Sequence, residues 1–234
     1  SLALAFVLVS VVCVAFLVPE VLSGRTVALH APLVGGGDTL FYADGLAVFM
    51  ALVSSSIAAI IVIYSFGYIK HYDNRNEYYL MVVLFLGAMM GLVFSRNLIY
   101  LFVFWEITAF TCWRLIGFYR EPQIVLKADK AFLMTVFGAL SMLAGFVMVY
   151  MQTGSFDLGE IKSRLGPNTI SNTAVILILI GILSKSATLP LHTWLPDAGV
   201  APSPVTALLH AAVLVKIGVY AYARIFVLSI PIDP

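Results

Sequence analysis

Four ionisable side chains lie inside long apolar stretches of this sequence, where they could take up and release protons: Glu106, Lys185, His210 and Lys216. An ionisable group at bilayer depth costs at least about 2.5–3.5 kcal/mol, so such residues usually have a function. Burial favours the neutral form of a lysine, which lets it load and release a proton, and a buried carboxylate can relay one. The set predicts a proton or ion pathway.

A structural role stays open for each of these residues. Glu106 could be a neutral acid hydrogen-bonded between helices, and Lys185 could bind carbonyls freed at a nearby helix break. His210 could make only a helix–helix hydrogen bond. Thr206 lies one turn earlier and could orient the His210 ring. Lys216 follows His210 by six residues, about 9 Å along a helix, so only water or another side chain could connect the two.

Two further predictions concern charges in the same helices. Glu106 and Lys185 are expected to face each other within about 10 Å, or through water, because opposite charges lower each other's cost of burial. Arg114 follows Glu106 by eight residues, about 12 Å, which is too far for an ion pair. Arg114 is instead expected to extend toward Arg120 and to play a structural role.

Other kinds of functional site have no support in the sequence. Cys13 and Cys112 lie in apolar runs with no CxxC and no Cys/His ligand spacing, so both are predicted to be buried, apolar thiols. Glycine-rich phosphate loops and nucleophile triads are absent. No metal site and no cofactor-binding site is predicted in this chain.

The composition indicates which elements must position these side chains. Hydrophobic residues make up 62% and charged residues 11% of the 234 residues, against about 45–50% and 25% in soluble domains. The net charge of +1 lacks the cationic excess of a nucleic-acid-binding protein. We expect an all-α polytopic membrane protein, with residues 1–234 forming one membrane domain.

Seven membrane-spanning helices are predicted, because about 20 apolar residues are needed for each. They cover residues 2–22, 46–69, 78–94, 98–119, 130–151, a sixth that begins near 173, and 205–228. Pro190 removes a helical hydrogen-bond donor and clashes with the preceding turn. The sixth helix is therefore expected to break between Lys185 and Pro190.

The connections between these spans also carry local signals. Residues 26–29 and 39–42 could pair as a short surface hairpin, and the glycines at 35–37 predict a turn. Asp44 is expected to cap the second span. Residues 120–129 are predicted to form a polar loop, and residues 156–161 one turn of interfacial helix.

Three stretches resemble the antiporter-like membrane subunits shared by respiratory complex I, Mrp-type cation/proton antiporters and membrane-bound hydrogenases. They are FWEIT at 104–108 with LIGFY at 115–119, KSATLPLHTWLPDA at 185–198, and APSPVTALLHA at 201–211. Two more, KAFLMTVFGALSMLAGF at 130–146 and VKIGVY at 215–220, are most similar to the Mrp and hydrogenase-type members. The likeness extends over nearly the whole chain.

The resemblance implies a bundle of about fourteen helices in two inverted repeats, each with a broken helix. This chain would be roughly half of it, either a fragment or one part of a split protein. Glu106 matches the glutamate, and Lys185 the broken-helix lysine, of the first half-channel. His210 and Lys216 match a histidine and a lysine on the path toward the bilayer centre.

The function implied is proton or Na⁺/H⁺ translocation across an energy-converting membrane, expected here to be a prokaryotic cytoplasmic membrane. The chain would be a non-catalytic subunit of a complex of the NADH:quinone oxidoreductase, Mrp or hydrogenase type. Its partners would be other antiporter-like and small membrane subunits, lipid, protons and Na⁺, but no nucleic acid. Any redox cofactors would be on those partner subunits. The alternative is a structural subunit that braces its neighbours without carrying ions.

Overall fold

The computed structural model describes residues 2–31, 39–166, 168–212 and 214–230. The predicted turn at 35–37 lies outside them. The helices are α1 (Leu2–Leu22), α2 (Gly45–Tyr68), α3 (Arg75–Phe94), α4 (Leu98–Ile116), α5 (Pro122–Thr153), α6 (Leu158–Leu165), α7 (Asn172–Lys185), α8 (Trp194–Asp197) and α9 (Ser203–Val227). Strands β1 (Val27–His30) and β2 (Thr39–Ala43) form an antiparallel pair.

Apolar helices account for most of the described residues. Six of them, α1–α5 and α9, are long and apolar enough to cross a membrane, while α7 is a shorter apolar helix of 14 residues. Helix α9 contains two wide π-helical turns, at Ala207–Ala212 and Ala223–Val227. The predicted helical membrane architecture is therefore confirmed, with the sixth predicted span reduced to α7.

The broken helix is confirmed. Helix α7 ends at Lys185, well before Pro190, and the chain continues through turns to the short helix α8. The Leu189–Pro190 peptide bond is cis. The interruption leaves Lys185 in the last turn of α7, beside backbone that is not helical.

One predicted loop is wrong. Residues 120–129 were expected to be a polar loop, but α5 begins at Pro122, eight residues before the predicted start at 130. Proline fits the first helical turn because its missing N–H would have no intrahelical partner there. The 32 residues of α5 span about 48 Å, so its charged first turns extend beyond a hydrocarbon core of about 30 Å.

Both predicted connections near the other end of the bundle are confirmed. Strand β1 pairs with β2 in the expected hairpin. Asp44 caps α2 by accepting a hydrogen bond of 3.0 Å from the Ala47 N–H. The interfacial helix is longer than expected, since α6 runs from Leu158 to Leu165, with Asp157 accepting hydrogen bonds from two N–H groups of its first turn.

Candidate functional site

Lys185 is the centre of the candidate site. Its side chain is fully buried, and its ammonium donates a hydrogen bond of 3.2 Å to the backbone carbonyl of Trp105 on α4. The same Nζ lies 5.5 Å from the centre of the Trp105 ring, a cation–π contact. The lysine therefore reaches from the end of α7 to α4 and stays in the protein interior.

The helix break places Lys185 where a cation is favoured. The last carbonyls of a helix carry partial negative charge, which stabilises a nearby ammonium. The indole N–H of Trp194, at the start of α8, donates a hydrogen bond of 2.9 Å to the Ser184 carbonyl. The same carbonyl accepts from the Ala187 N–H at 3.3 Å, and the indole contact holds the broken segment against the end of α7.

Two glycines allow neighbouring helices to approach this end of α7 closely. A Cβ on Gly138 of α5 would lie 1.9 Å from the Ser184 hydroxyl, and a Cβ on Gly218 of α9 would lie 1.8 Å from the Ser186 hydroxyl. Neither distance allows a side chain. The backbones of α5 and α9 therefore enclose the residues on either side of Lys185.

Glu106 lies next to Trp105, the residue that binds Lys185. It is half-buried, and its Oε1 atom is buried without a hydrogen-bond partner among the described residues. The Lys185 ammonium is close enough to attract its carboxylate. Glu106 also borders an open apolar groove formed with Leu84 and Phe132. The structure thus brings Glu106 and Lys185 into one region, because Lys185 binds the carbonyl of the residue that precedes Glu106.

A small cavity lies beside the lysine. It has a volume of about 10 Å³, and its lining includes Cys112, Thr135, Lys185 and Trp194. A volume of this size is about the space of one water molecule. Lys185 therefore borders a space about the size of one water molecule, whose other walls are mostly apolar.

His210 and Lys216 both lie on α9. His210 lies in the first π-helical turn of α9, and its Nε2 atom is buried with no hydrogen-bond partner in the described structure. The Thr206 hydroxyl donates to the carbonyls of Ala201 and Pro202, which is a helix-start contact and not the expected support for the histidine ring.

Lys216 lies on the outer face of α9. Its side chain is exposed, whereas Gly218, two residues later, packs on the end of α7. Two residues correspond to about 200° around a helix, so the two positions face nearly opposite directions. The structure thus places Glu106 beside the residue that binds Lys185 and leaves Lys216 at the surface.

The interpretation of Arg114 is supported, and one of the cysteine predictions is wrong. Arg114 forms an ion pair with Glu77 of α3, which Arg120 also binds, so it links helix ends as expected. Cys112 is buried, but Cys13 is exposed. Much of the apolar surface of α1 faces outward. An apolar run in the sequence does not show whether its side chains are buried in the protein or exposed.

A second buried charge was not singled out from the sequence. Arg224, near the end of α9, forms two hydrogen bonds with the Asp44 carboxylate, at 2.6 and 2.7 Å. Its Nε donates at 2.9 Å to the Tyr220 hydroxyl, which in turn donates to the Val93 carbonyl. The spacing of four between Tyr220 and Arg224 was the available signal, because it places both residues on one helix face.

The described residues contain no group of three or more His, Cys, Asp or Glu side chains that could hold a metal ion. The polar groups near Lys185 are instead single titratable or hydrogen-bonding groups.

The family model described as "NADH:quinone oxidoreductase/Mrp antiporter, TM" matches residues 95–233, which include α4, the helix break and all of α9. The chain belongs to this family. A second model, "NADH-Ubiquinone oxidoreductase (complex I), chain 5 N-terminus", matches residues 38–79. Together with its apolar helices, this membership makes the chain an integral, multi-pass membrane protein.

Two relatives are subunits named for Na⁺/H⁺ antiport. The chain is 40% identical over 188 residues to the Na(+)/H(+) antiporter subunit A1 of Staphylococcus haemolyticus, covering 79% of this chain. It is 42% identical over 187 residues to the subunit A1 of Staphylococcus aureus, covering 78% of this chain. In both cases it spans 23% of the relative's length.

Two solved structures share the fold. The membrane-bound sulfane sulfur reductase, an archaeal respiratory membrane complex, has a chain that matches with a TM-score of 0.86 at 24% identity, over 95% of this chain and 46% of that one. The Mrp complex from Dietzia sp. matches with a TM-score of 0.83 at 20% identity, over 96% and 42%. These shares agree with the prediction that the chain corresponds to roughly half of a larger bundle.

Proposed function

We propose that this chain carries part of the ion path of a Na⁺/H⁺ antiporter-type complex in a cytoplasmic membrane, with Lys185 holding and passing a proton. The observation that carries the proposal is the fully buried Lys185 ammonium at the helix break, with the carbonyl of Trp105 as its hydrogen-bond acceptor. A lysine in such a place can exist as a neutral amine, because burial penalises its charged form.

The surroundings of Lys185 support proton transfer to and from it. The attraction of the Glu106 carboxylate stabilises the ammonium when both groups are charged. A change in the charge of Glu106 would therefore change how tightly Lys185 holds its proton. The adjacent cavity offers space for about one water molecule, which can carry a proton between groups that do not touch.

His210 and Lys216 extend the proposed path along α9. His210 has a buried, unpartnered ring nitrogen within the described structure, and Lys216 lies on the outer face of the same helix. That face is where a further membrane segment would continue the path toward the bilayer centre. The partners we propose are accordingly other antiporter-like and small membrane subunits, with lipid around them.

Na⁺/H⁺ exchange is favoured over a redox-driven pump. The two relatives with 40% and 42% identity are both named as Na(+)/H(+) antiporter subunits, whereas the likeness to a respiratory complex rests on 24% identity. The chain itself would be a non-catalytic subunit. If the complex contains redox cofactors, we place them on partner subunits.

The test is Na⁺-dependent proton flux in vesicles that contain the assembled complex. In Lys185→Ala the flux should fall to background while the complex still purifies whole, because alanine removes the titratable group and the cost of burying it. Lys70→Ala is the matched control, since Lys70 is exposed in a connection, and its flux should equal that of the wild type. Wild-type flux in Lys185→Ala would contradict the proposal, and loss of assembly would support the structural alternative.

A further inference from the structure

A polar cavity lies at the end of the bundle that carries the hairpin, away from the proposed ion path. Its volume is about 350 Å³, and three cationic residues line it: Arg96, Lys162 and Arg224. One carboxylate, Asp44, is also on its wall. A concave site of this size with convergent cationic groups is suited to a small anionic ligand.

Arg96 is held in a fixed position at this cavity. Its guanidinium lies 5.0 Å from the centre of the Tyr42 ring and 3.4 Å from the Asp157 carboxylate. A Cβ on Gly159 would lie 1.7 Å from an Arg96 nitrogen, so the guanidinium lies directly against the first turn of α6. The planar donors of Arg96 are therefore already positioned before any ligand arrives.

The charges of the described residues at the cavity do not cancel. Arg224 is paired with Asp44, and Arg96 is paired with Asp157. Lys162 is exposed, and its ammonium contacts the Leu228 carbonyl at 3.4 Å. A carbonyl is uncharged, so the described residues at the cavity carry a net positive charge even when the carboxylates of Asp44 and Asp157 are both counted.

The cavity lies at the ends of membrane-spanning helices, where the membrane surface is expected. It lies where α3 and α9 end and where α2 begins, beside α6. Helix α6 buries Leu158, Ile161 and Leu165 and exposes Lys162, as a helix lying in the membrane interface does. Lipid phosphates occupy the same depth, and basic pockets between membrane helices bind anionic headgroups.

We propose that this cavity binds a phosphate group, supplied by the headgroup of an anionic phospholipid, with Lys162 and Arg96 as the principal donors. Lys162 provides the uncompensated charge, and Arg96 provides oriented N–H groups. A phosphate at this position would connect α6 with the ends of α3 and α9. The proposal does not depend on ion transport by the chain.

The test is native mass spectrometry of the purified complex with added phosphatidylglycerol, or with phosphatidylcholine as the zwitterionic comparison. The wild type should bind phosphatidylglycerol more tightly than phosphatidylcholine. Lys162→Gln should weaken the binding of phosphatidylglycerol by about tenfold, the scale of one charge-assisted hydrogen bond. Lys70→Gln, at the opposite end of the bundle, is the matched control and should bind as the wild type does.

A competition arm distinguishes the two sources of phosphate. Inorganic phosphate at millimolar concentration should leave the bound phosphatidylglycerol in place; if it displaces the lipid, the same donors serve a phosphate ion from solution. Equal binding of the two lipids would overturn the proposal. Equal loss of phosphatidylglycerol in Lys162→Gln and Lys70→Gln would also overturn it, since the cavity would then have no special role.

Discussion

The region around Lys185 and the region around Arg224 bury their positive charges in different ways. Both side chains are buried, with exposures of 0% and 6%. Arg224 has a carboxylate bound through two nitrogens and a tyrosine hydroxyl at its third. Within the described residues, Lys185 donates a single hydrogen bond, to a carbonyl, and its carboxylate neighbour Glu106 does not touch it.

The difference follows from what each cation can do. An arginine cannot lose its proton in a protein, so its burial requires a permanent, fully bonded anion. A lysine can lose its proton and become neutral, so it can be buried without a directly bound anion. Its charge can then be switched on and off by protonation. We therefore propose that Arg224 holds the helices together and that Lys185 carries a proton.

The largest expected effect comes from replacing the adjustable charge with a permanent one. Lys185→Arg should reduce Na⁺-dependent proton flux to background, because a guanidinium does not release its proton at any accessible pH. The measurement is flux per assembled complex in vesicles. Flux at half the wild-type rate or above would show that proton release at position 185 is not a step in transport.

The second prediction concerns the ion pair between Arg224 and Asp44, which we call the permanent pair because arginine does not lose its proton. Arg224→Ala should destabilise the protein by about 3–5 kcal/mol, because it leaves the Asp44 carboxylate without its buried partner. Denaturant or thermal unfolding of the purified complex measures the loss. The double variant Arg224→Ala/Asp44→Ala should be more stable than the sum of the single changes predicts. Strictly additive effects would mean that the two side chains do not stabilise each other.

The third prediction concerns the close packing that surrounds the lysine. Gly218→Val should cost about 1–3 kcal/mol, since its added atoms would collide with Ser186 at the end of α7 and push α9 away. Gly87→Val is the matched control, because a Cβ on Gly87 meets no atom within 4 Å. Equal stability of the two variants would contradict the close α7–α9 contact.

The smallest effect is a pH dependence at the permanent pair. Burial alone would raise the pKa of Asp44, but hydrogen bonds from Arg224 and from the Ala47 N–H outweigh it and hold that pKa below its usual value of 3.8. The folded carboxylate therefore binds a proton less tightly than the unfolded one. Its stabilisation is complete above pH 3.8 and is lost as the pH falls through the lowered pKa.

The check is a comparison of melting temperatures between about pH 5 and pH 3, a range that spans the usual pKa of an aspartate. Wild-type protein should lose more stability over this range than Asp44→Asn, whose side chain does not titrate. Parallel curves for the two proteins would show that Asp44 contributes nothing to the acid dependence.

Much of the fold was accessible from the sequence because lipid imposes simple rules. Apolar runs of about 20 residues predict membrane spans, and Pro190 with the Ser-Lys-Ser run before it predicted the break that ends α7 at Lys185. Asp44 was recognisable as a helix cap from its position before an apolar run. The start of α5 at Pro122 was not recognisable from the sequence, because a charged helix that extends out of the membrane has the composition of a loop.

The candidate site was predictable in its residues but not in its arrangement. Glu106 and Lys185 stand out as charges within apolar runs, and the structure brings them to one region. The role of the Trp105 carbonyl was not predictable, since it depends on how α4 and α7 are placed in space. Arg224 was missed because a charge near a helix end usually reaches water, and only the tertiary contact with Asp44 shows that this one does not.

The most direct test is proton flux per assembled complex, measured side by side in Lys185→Ala and Arg224→Ala. It tests whether Lys185 serves transport and Arg224 serves stability. The account predicts that Lys185→Ala assembles fully and carries only background flux. It predicts that Arg224→Ala assembles poorly, while the fraction that does assemble keeps wild-type flux. Wild-type flux in fully assembled Lys185→Ala, or background flux in fully assembled Arg224→Ala, would contradict it.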